Sequence, residues 1–265
     1  LGMNNSEGEQ FGLGGSVLWC TQDPVAIANV VALNAAGSSA LTGWGLNDMR
    51  VSLYSDASGN PVWDFPTGDY DPFVDISGDG SKIAATAGTH FYMLSPVNGN
   101  IEFQFALPDS FYANAVSISR DGSMAVVLAQ AWGSSTTYRA YAFDLTSTPV
   151  IDWSFDVPVS EVTNWAGVNI SPDGSVVAIT GRYHLYILNR LNGLVIWDHF
   201  LDNTESAPAI SENGKVVVTA DNSGFVQTWH FDSGINEYFL LWQYRVPPSA
   251  FSSWASSAGI SADGN

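Results

Sequence analysis

The stretch Ile170-Ser171-Pro172-Asp173-Gly174-Ser175-Val176-Val177-Ala178-Ile179-Thr180 decides the fold, because the same phrase returns along the whole chain. It recurs as Ile76-Ser77-Gly78-Asp79-Gly80, Ile118-Ser119-Arg120-Asp121-Gly122, Ile210-Ser211-Glu212-Asn213-Gly214 and Ile260-Ser261-Ala262-Asp263-Gly264. A degenerate first copy is Leu33-Asn34-Ala35-Ala36-Gly37. The glycines at 37, 80, 122, 174, 214 and 264 are separated by 43, 42, 52, 40 and 50 residues, a period that marks one repeated structural unit.

Each phrase reads strand, turn, strand. Asp-Gly or Asn-Gly between two apolar runs predicts a two-residue type I′ turn, whose twist suits the flanking strands. Before it, Val116 and Ile118, or Val168 and Ile170, alternate with small or polar residues. After it come runs such as Lys215-Val216-Val217-Val218-Thr219, rich in β-branched residues. In the clearest unit four such runs follow one another: 73–77, 82–87, 90–95 and 101–107. The expectation is an all-β chain, a β-propeller of four-stranded antiparallel blades with five complete repeats and parts of a sixth. Residues 1–15 read as a polar, flexible arm, and 16–265 as the propeller, with repeats beginning near 26, 69, 110, 160, 204 and 250. Gly15 to Thr21 reads as a fourth-run strand without a partner before it. The sequence stops just past Asp263-Gly264, in mid-hairpin. That predicts either a truncated six- to eight-bladed ring or an open arc whose edges favour self-association.

Composition narrows the function. Eight Lys plus Arg against 26 Asp plus Glu give a net charge of −18, which argues against nucleic acid as a partner, since such binders need clustered cations. No run of 18 apolar residues occurs, so no transmembrane segment is expected. Cys20 is the only cysteine, which excludes an internal disulfide and reads as a small strand residue rather than a reactive thiol. An acidic, lysine-poor chain rich in Gly, Ser and Asn points to an extracellular, cell-surface or periplasmic setting.

The fourth run of each unit carries a large ring: Trp63, Phe103, Trp153, Trp197 and Trp242, with Trp19 in the same place before the first phrase. A ring at one fixed site per blade would wedge neighbouring blades together. Ahead of it stand Asn189-Arg190-Leu191-Asn192-Gly193-Leu194-Val195-Ile196-Trp197, echoed by Ser95-Pro96-Val97-Asn98-Gly99-Asn100-Ile101-Glu102-Phe103 and Asp56-Ala57-Ser58-Gly59-Asn60-Pro61-Val62-Trp63. A glycine four residues before the tryptophan resembles the docking repeat of quinoprotein-like (pyrroloquinoline-quinone-like) β-propellers, and the Ser-Pro-Asp-Gly turn resembles that of WD-repeat propellers. The resemblance covers roughly residues 16 to 265 and implies the fold, not one activity. Two units depart from it: Pro149 stands near the glycine's place in the third, and eight residues separate Gly234 from Trp242 in the fifth. The vicinal cysteine pair of the large quinoprotein alcohol dehydrogenases is missing too. The expectation is therefore no catalytic residue and no cofactor, neither pyrroloquinoline quinone nor Ca²⁺.

No metal site is expected. His90, His184, His199 and His230 are scattered without zinc-ligand spacing, and Asp69, Asp71, Asp75 and Asp79 read as turn and edge residues. What remains is loop chemistry. Connections between units carry Tyr70, Tyr112, Trp165 and Trp254, together with Asp69, Asp71, Asp109, Glu161, Asp202 and Glu205. Connections from the second to the third run should open on the same face and place Arg50, His90, Arg139, His184 and Gln227 at one repeated position. These residues form either a partial ring around the channel or strand ends reaching water. The function expected is a non-catalytic binding or scaffold propeller that takes a protein or glycan ligand on this face. The alternatives are a carbohydrate-binding propeller and a quinoprotein-type oxidoreductase.

Overall fold

The computed structural model describes residues 7–11, 17–22, 26–46, 48–69, 71–108, 111–131, 137–158, 167–181, 183–201, 206–221, 223–245, 259–261 and 264. Five four-stranded antiparallel sheets follow one another, each with its strands in sequence order. Blade 1 holds β3 (Ala26–Leu33), β4 (Ser39–Leu46), β5 (Arg50–Ser55) and β6 (Pro61–Pro66). Blade 2 holds β7 (Phe73–Ile76), β8 (Ile83–Ala87), β9 (His90–Leu94) and β10 (Ile101–Ala106). Blade 3 holds β11 (Phe111–Ile118), β12 (Met124–Ala131), β13 (Tyr138–Asp144) and β14 (Val150–Val157). Blade 4 holds β15 (Gly167–Ile170), β16 (Val176–Thr180), β17 (His184–Asn189) and β18 (Val195–Phe200). Blade 5 holds β19 (Ala209–Ile210), β20 (Val216–Ala220), β21 (Phe225–Asp232) and β22 (Glu237–Arg245). First strands of successive blades touch, β3 with β7, β7 with β11, β11 with β15 and β15 with β19, so they lie at the axis.

The turn of the repeated phrase is not type I′. That turn needs positive φ at both central residues, yet only the glycine has it, at +75° in Gly80 and +70° in Gly174. Gly80 donates its N–H to the Ser77 carbonyl and Gly174 to that of Ser171, so the turn runs from Ser to Gly with glycine as the left-handed fourth residue. The serine decides this. Ser171 Oγ donates to Asp173 Oδ1 (2.7 Å) and accepts the Val176 N–H (3.1 Å), while Asp173 Oδ1 accepts the Ser175 N–H (2.9 Å). The same lock recurs around Ser77, Ser119 and Ser211. Asn34 takes the serine's place in the degenerate first copy, its Oδ1 accepting the Ser39 N–H.

The hydrophobic cores lie between blades. Leu53 and Trp63 of blade 1 pack with Val74, Ile83 and Leu94 of blade 2, and equivalent clusters fill the next three interfaces. Trp63 lies against Gly99 and donates its indole N–H to the Pro96 carbonyl (3.1 Å). Trp153 repeats this on Gly193 and the Arg190 carbonyl (2.6 Å). The two irregular copies have matched partners. Phe103, which has no N–H to place, meets Phe143 of blade 3, where the docking glycine is lacking. Trp197 packs on Trp229 and Tyr238 of blade 5.

One bulge aims these rings. In every blade the third-to-fourth strand register skips the residue before the ring: Tyr54 pairs Pro61 and Leu53 pairs Trp63, Phe143 pairs Ile151 and Ala142 pairs Trp153. The extra residue turns the following side chain toward the next blade. The same skip occurs between β1 (Glu7–Phe11) and β2 (Val17–Gln22), where Phe11 pairs Val17 and Gln10 pairs Trp19. This corrects the sequence reading twice: part of the 1–15 arm is a strand, and Gly15 to Thr21 does have a partner. The stretch Glu7-Gly8-Glu9-Gln10 is polar throughout and lacks the apolar alternation that signals a strand. By register, β1 and β2 are the outer half of a blade. Gly264, at φ +78°, bonds back to the Ser261 carbonyl and approaches Val216, the contact Gly214 makes with Val176.

Candidate binding face

The second-to-third and fourth-to-first connections meet at one end of the blades, as expected. Thr67 N–H reaches the Met49 carbonyl (2.8 Å), Leu107 N–H that of Thr89 (2.8 Å) and Ala113 N–H that of Gly88 (2.8 Å). A Cβ on Gly88 would overlap the Asp69 carboxylate. Two residues on this face, Met49 (φ 38°) and Asp71 (φ 49°), hold the left-handed conformation without being glycine. Such strain persists only where surrounding contacts enforce it.

Arg50, His90, Arg139 and His184 are equivalent by register, each three residues before the partner of the docking ring. In blade 5 that position is Phe225, not Gln227, because β21 begins two residues earlier and Phe225 pairs Arg245. All lie on third strands, outside the first strands that wall the channel, so they form an arc on the face and not a ring around the entrance. Each is anchored. Arg50 bonds Ser52 and Asp48 and lies over Trp44, and Arg139 grips both oxygens of Asp156 and lies over Phe111 and Tyr141. His90 stacks on Tyr92 and His184 on Tyr186. The arrangement alternates, arginine in blades 1 and 3 and histidine in blades 2 and 4. Tyr112, next to Phe111, is 39% exposed. Tyr70, Trp165 and Trp254, with Asp109, Glu161, Asp202 and Glu205, lie outside the described residues.

The four aspartates of the densest acidic stretch do not converge, and Asp75 is neither a turn nor an edge residue. It sits inside β7, and its Oδ1 accepts the Ile76 N–H (2.9 Å) while Oδ2 accepts the Ile118 N–H of blade 3 (2.8 Å). Burial pushes its carboxyl up to about 6, against the pull of these N–H groups. Asp79, exposed in the turn, is instead held down to about 2 by the Ser81 N–H and the Ser77 hydroxyl. The site one position before each phrase continues the inter-blade link: Ser117 Oγ accepts the Ile170 N–H of blade 4 (3.2 Å), and Asn169 donates to the Pro208 carbonyl toward blade 5 (3.3 Å). Among the described residues no three His, Cys, Asp or Glu side chains are grouped to hold a metal ion.

Residues 47–238 match the family model of pyrroloquinoline-quinone-type repeats described as outer membrane protein assembly factor BamB. The chain belongs to that family. No curated protein matches the sequence. Among solved structures, BamB from Moraxella catarrhalis superposes with a TM-score of 0.60 at 15% identity, covering 91% of this chain and 70% of that one. Kuenenia stuttgartiensis hydrazine synthase gives 0.70 at 16% identity, covering 94% and 82%. A chain of the mitotic checkpoint complex gives 0.72 at 12%, covering 94% and 75%. At these identities the likeness is one of fold.

In this BamB-family propeller the docking repeat packs neighbouring blades, Trp63 on Gly99 and Trp153 on Gly193. The polar positions Asp75, Ser117 and Asn169 were missed as a set by sequence reading. Their signal was available, since each stands immediately before the Ile of its phrase, where Ala209 and Ala32 stand in blades 5 and 1.

Proposed function

We propose that this chain is a non-catalytic binding and scaffold module of the cell envelope, periplasmic or at the cell surface, that engages a protein partner through its connecting-loop face. One observation carries this reading: a BamB-family propeller presents, at one end of its blades, a backbone held strained at Met49 and Asp71 together with the exposed Tyr112 and the anchored Arg139 of blade 3. The family's namesake, an outer membrane protein assembly factor, supports a protein partner. The aligned arginines support positioning over anion capture, because their charges are met by Asp48 and Asp156. The same reading holds that the protein works without quinone or Ca²⁺. Incubation with pyrroloquinoline quinone and Ca²⁺ should yield no dye-linked oxidation of alcohols or sugars, and reconstituted activity would refute it. Replacing Tyr112 by Ala should weaken partner capture while leaving circular dichroism unchanged.

A further inference from the structure

At the opposite end of the channel, where the Ser-to-Gly turns of the first strands converge, lies a cavity of about 370 Å³ shared by blades 1 to 4. Its walls include the apolar Leu33, Ile76, Ile118 and Ile170, and Asp75, Asn169 and Arg120 supply its polar side chains. We propose that this cavity is a binding site for an aliphatic ammonium group, the side chain of a lysine on a partner protein, with Asp75 as the counter-ion. The site stands independently of the loop-face reading.

Three features specify that ligand. First, Asp75 is a half-buried carboxylate lining the cavity that, among the described residues, pairs with no Lys, Arg or His; its partners are the Ile76 and Ile118 N–H groups and the Ser117 hydroxyl. Arg120, the cation that also lines the cavity, turns its guanidinium to Glu212 (2.8 Å). Burial raises the Asp75 carboxyl, and a cation brought beside it would lower it again. Second, a ring of aliphatic side chains around one carboxylate matches a charged head on a methylene stem, which buries its stem along apolar surface. The volume falls within the roughly 300–1,000 Å³ of small-ligand sites. Third, a chain of net charge −18 draws cations toward a cleft by long-range attraction.

The test follows the Asp75 carboxyl by carbon-13 NMR from about pH 4 to 8 in the wild-type protein, with n-butylammonium chloride, with sodium chloride at the same concentration, and with the peptide Gly-Gly-Lys-Gly-Gly. The expected result is a downward shift of the Asp75 midpoint with n-butylammonium, by about one pH unit at saturation, a roughly tenfold preference for the ionised form. Sodium chloride should not reproduce it. A matching shift with the peptide supports a protein lysine as the source, whereas a shift with n-butylammonium alone overturns that part. No shift, or an equal one with sodium chloride, overturns the site. Asp75→Asn should bind n-butylammonium at least tenfold more weakly. Should that variant not fold, the wild-type titration still decides.

Discussion

Trp153 lies flat on Gly193: a Cβ at that glycine would fall 2.5 Å from the indole Cε3, while the indole N–H is bonded to the Arg190 carbonyl. Blade 3 is thereby fastened to blade 4 at a point that tolerates no side chain. Trp153→Ala should cost about 3–5 kcal/mol in urea unfolding, as loss of a buried large ring does. Gly193→Ala should cost at least about 1–2 kcal/mol from its left-handed backbone (φ +66°), with displacement of the ring in addition.

Trp242 occupies the same sequence position in blade 5 but is 48% exposed, against 8% for Trp153. Trp242→Ala should therefore cost less than about 1 kcal/mol, near the ordinary range for surface substitutions. A loss as large as that of Trp153→Ala would show that this ring is covered in solution.

Much of this was legible in the sequence and some was not, for identifiable reasons. The spacing of Gly80, Gly122, Gly174 and Gly214 marks the blades, and the interval from Gly193 to Trp197 marks the docking site, because each reflects a side-chain or φ requirement. The β1 to β2 pairing involves a polar stretch and leaves no periodic trace. The two-residue error at Gln227 arose because β21 is lengthened to eight residues, so its start cannot be counted from the phrase. The turn type was misread because Asp-Gly is common to two hairpin families, and the Ser171 hydroxyl selects between them.

Stability should depend on Asp75 in a defined pH window. Its carboxyl is raised to about 6 in the folded state, above the unfolded value of about 3.9. A raised acid binds its proton more tightly when folded, so its contribution is most favourable below about pH 4 and declines as pH rises to about 6. Unfolding free energies of wild type minus Asp75→Asn should fall by about 1–3 kcal/mol between those values and stay level above them. Asp79 and Asp173 act oppositely: their carboxyls are lowered, Asp79 by the Ser81 N–H and Asp173 by its Ser175 and Ser171 bonds against the opposing effect of burial, so their support is lost only as pH drops below about 4.

The turn lock should be separable from the glycine. Ser171→Ala removes a hydroxyl that donates to Asp173 and accepts the Val176 N–H, and should cost about 1–3 kcal/mol. Thermal unfolding of this variant beside Ser175→Ala, whose serine is exposed, checks the assignment. Equal effects would place the lock elsewhere.

The central claim is that the connecting-loop face, with Tyr112 and Arg139, takes a protein partner. Site-specific photo-cross-linking in the native host tests it most directly, with the reactive group at Tyr112 and, for reference, at Val150 on the outer strand of the same blade, which is 54% exposed. The account predicts a discrete protein adduct from Tyr112, diminished by Arg139→Ala, and none from Val150. Absence of an adduct at Tyr112, or equal adducts at both positions, would contradict it.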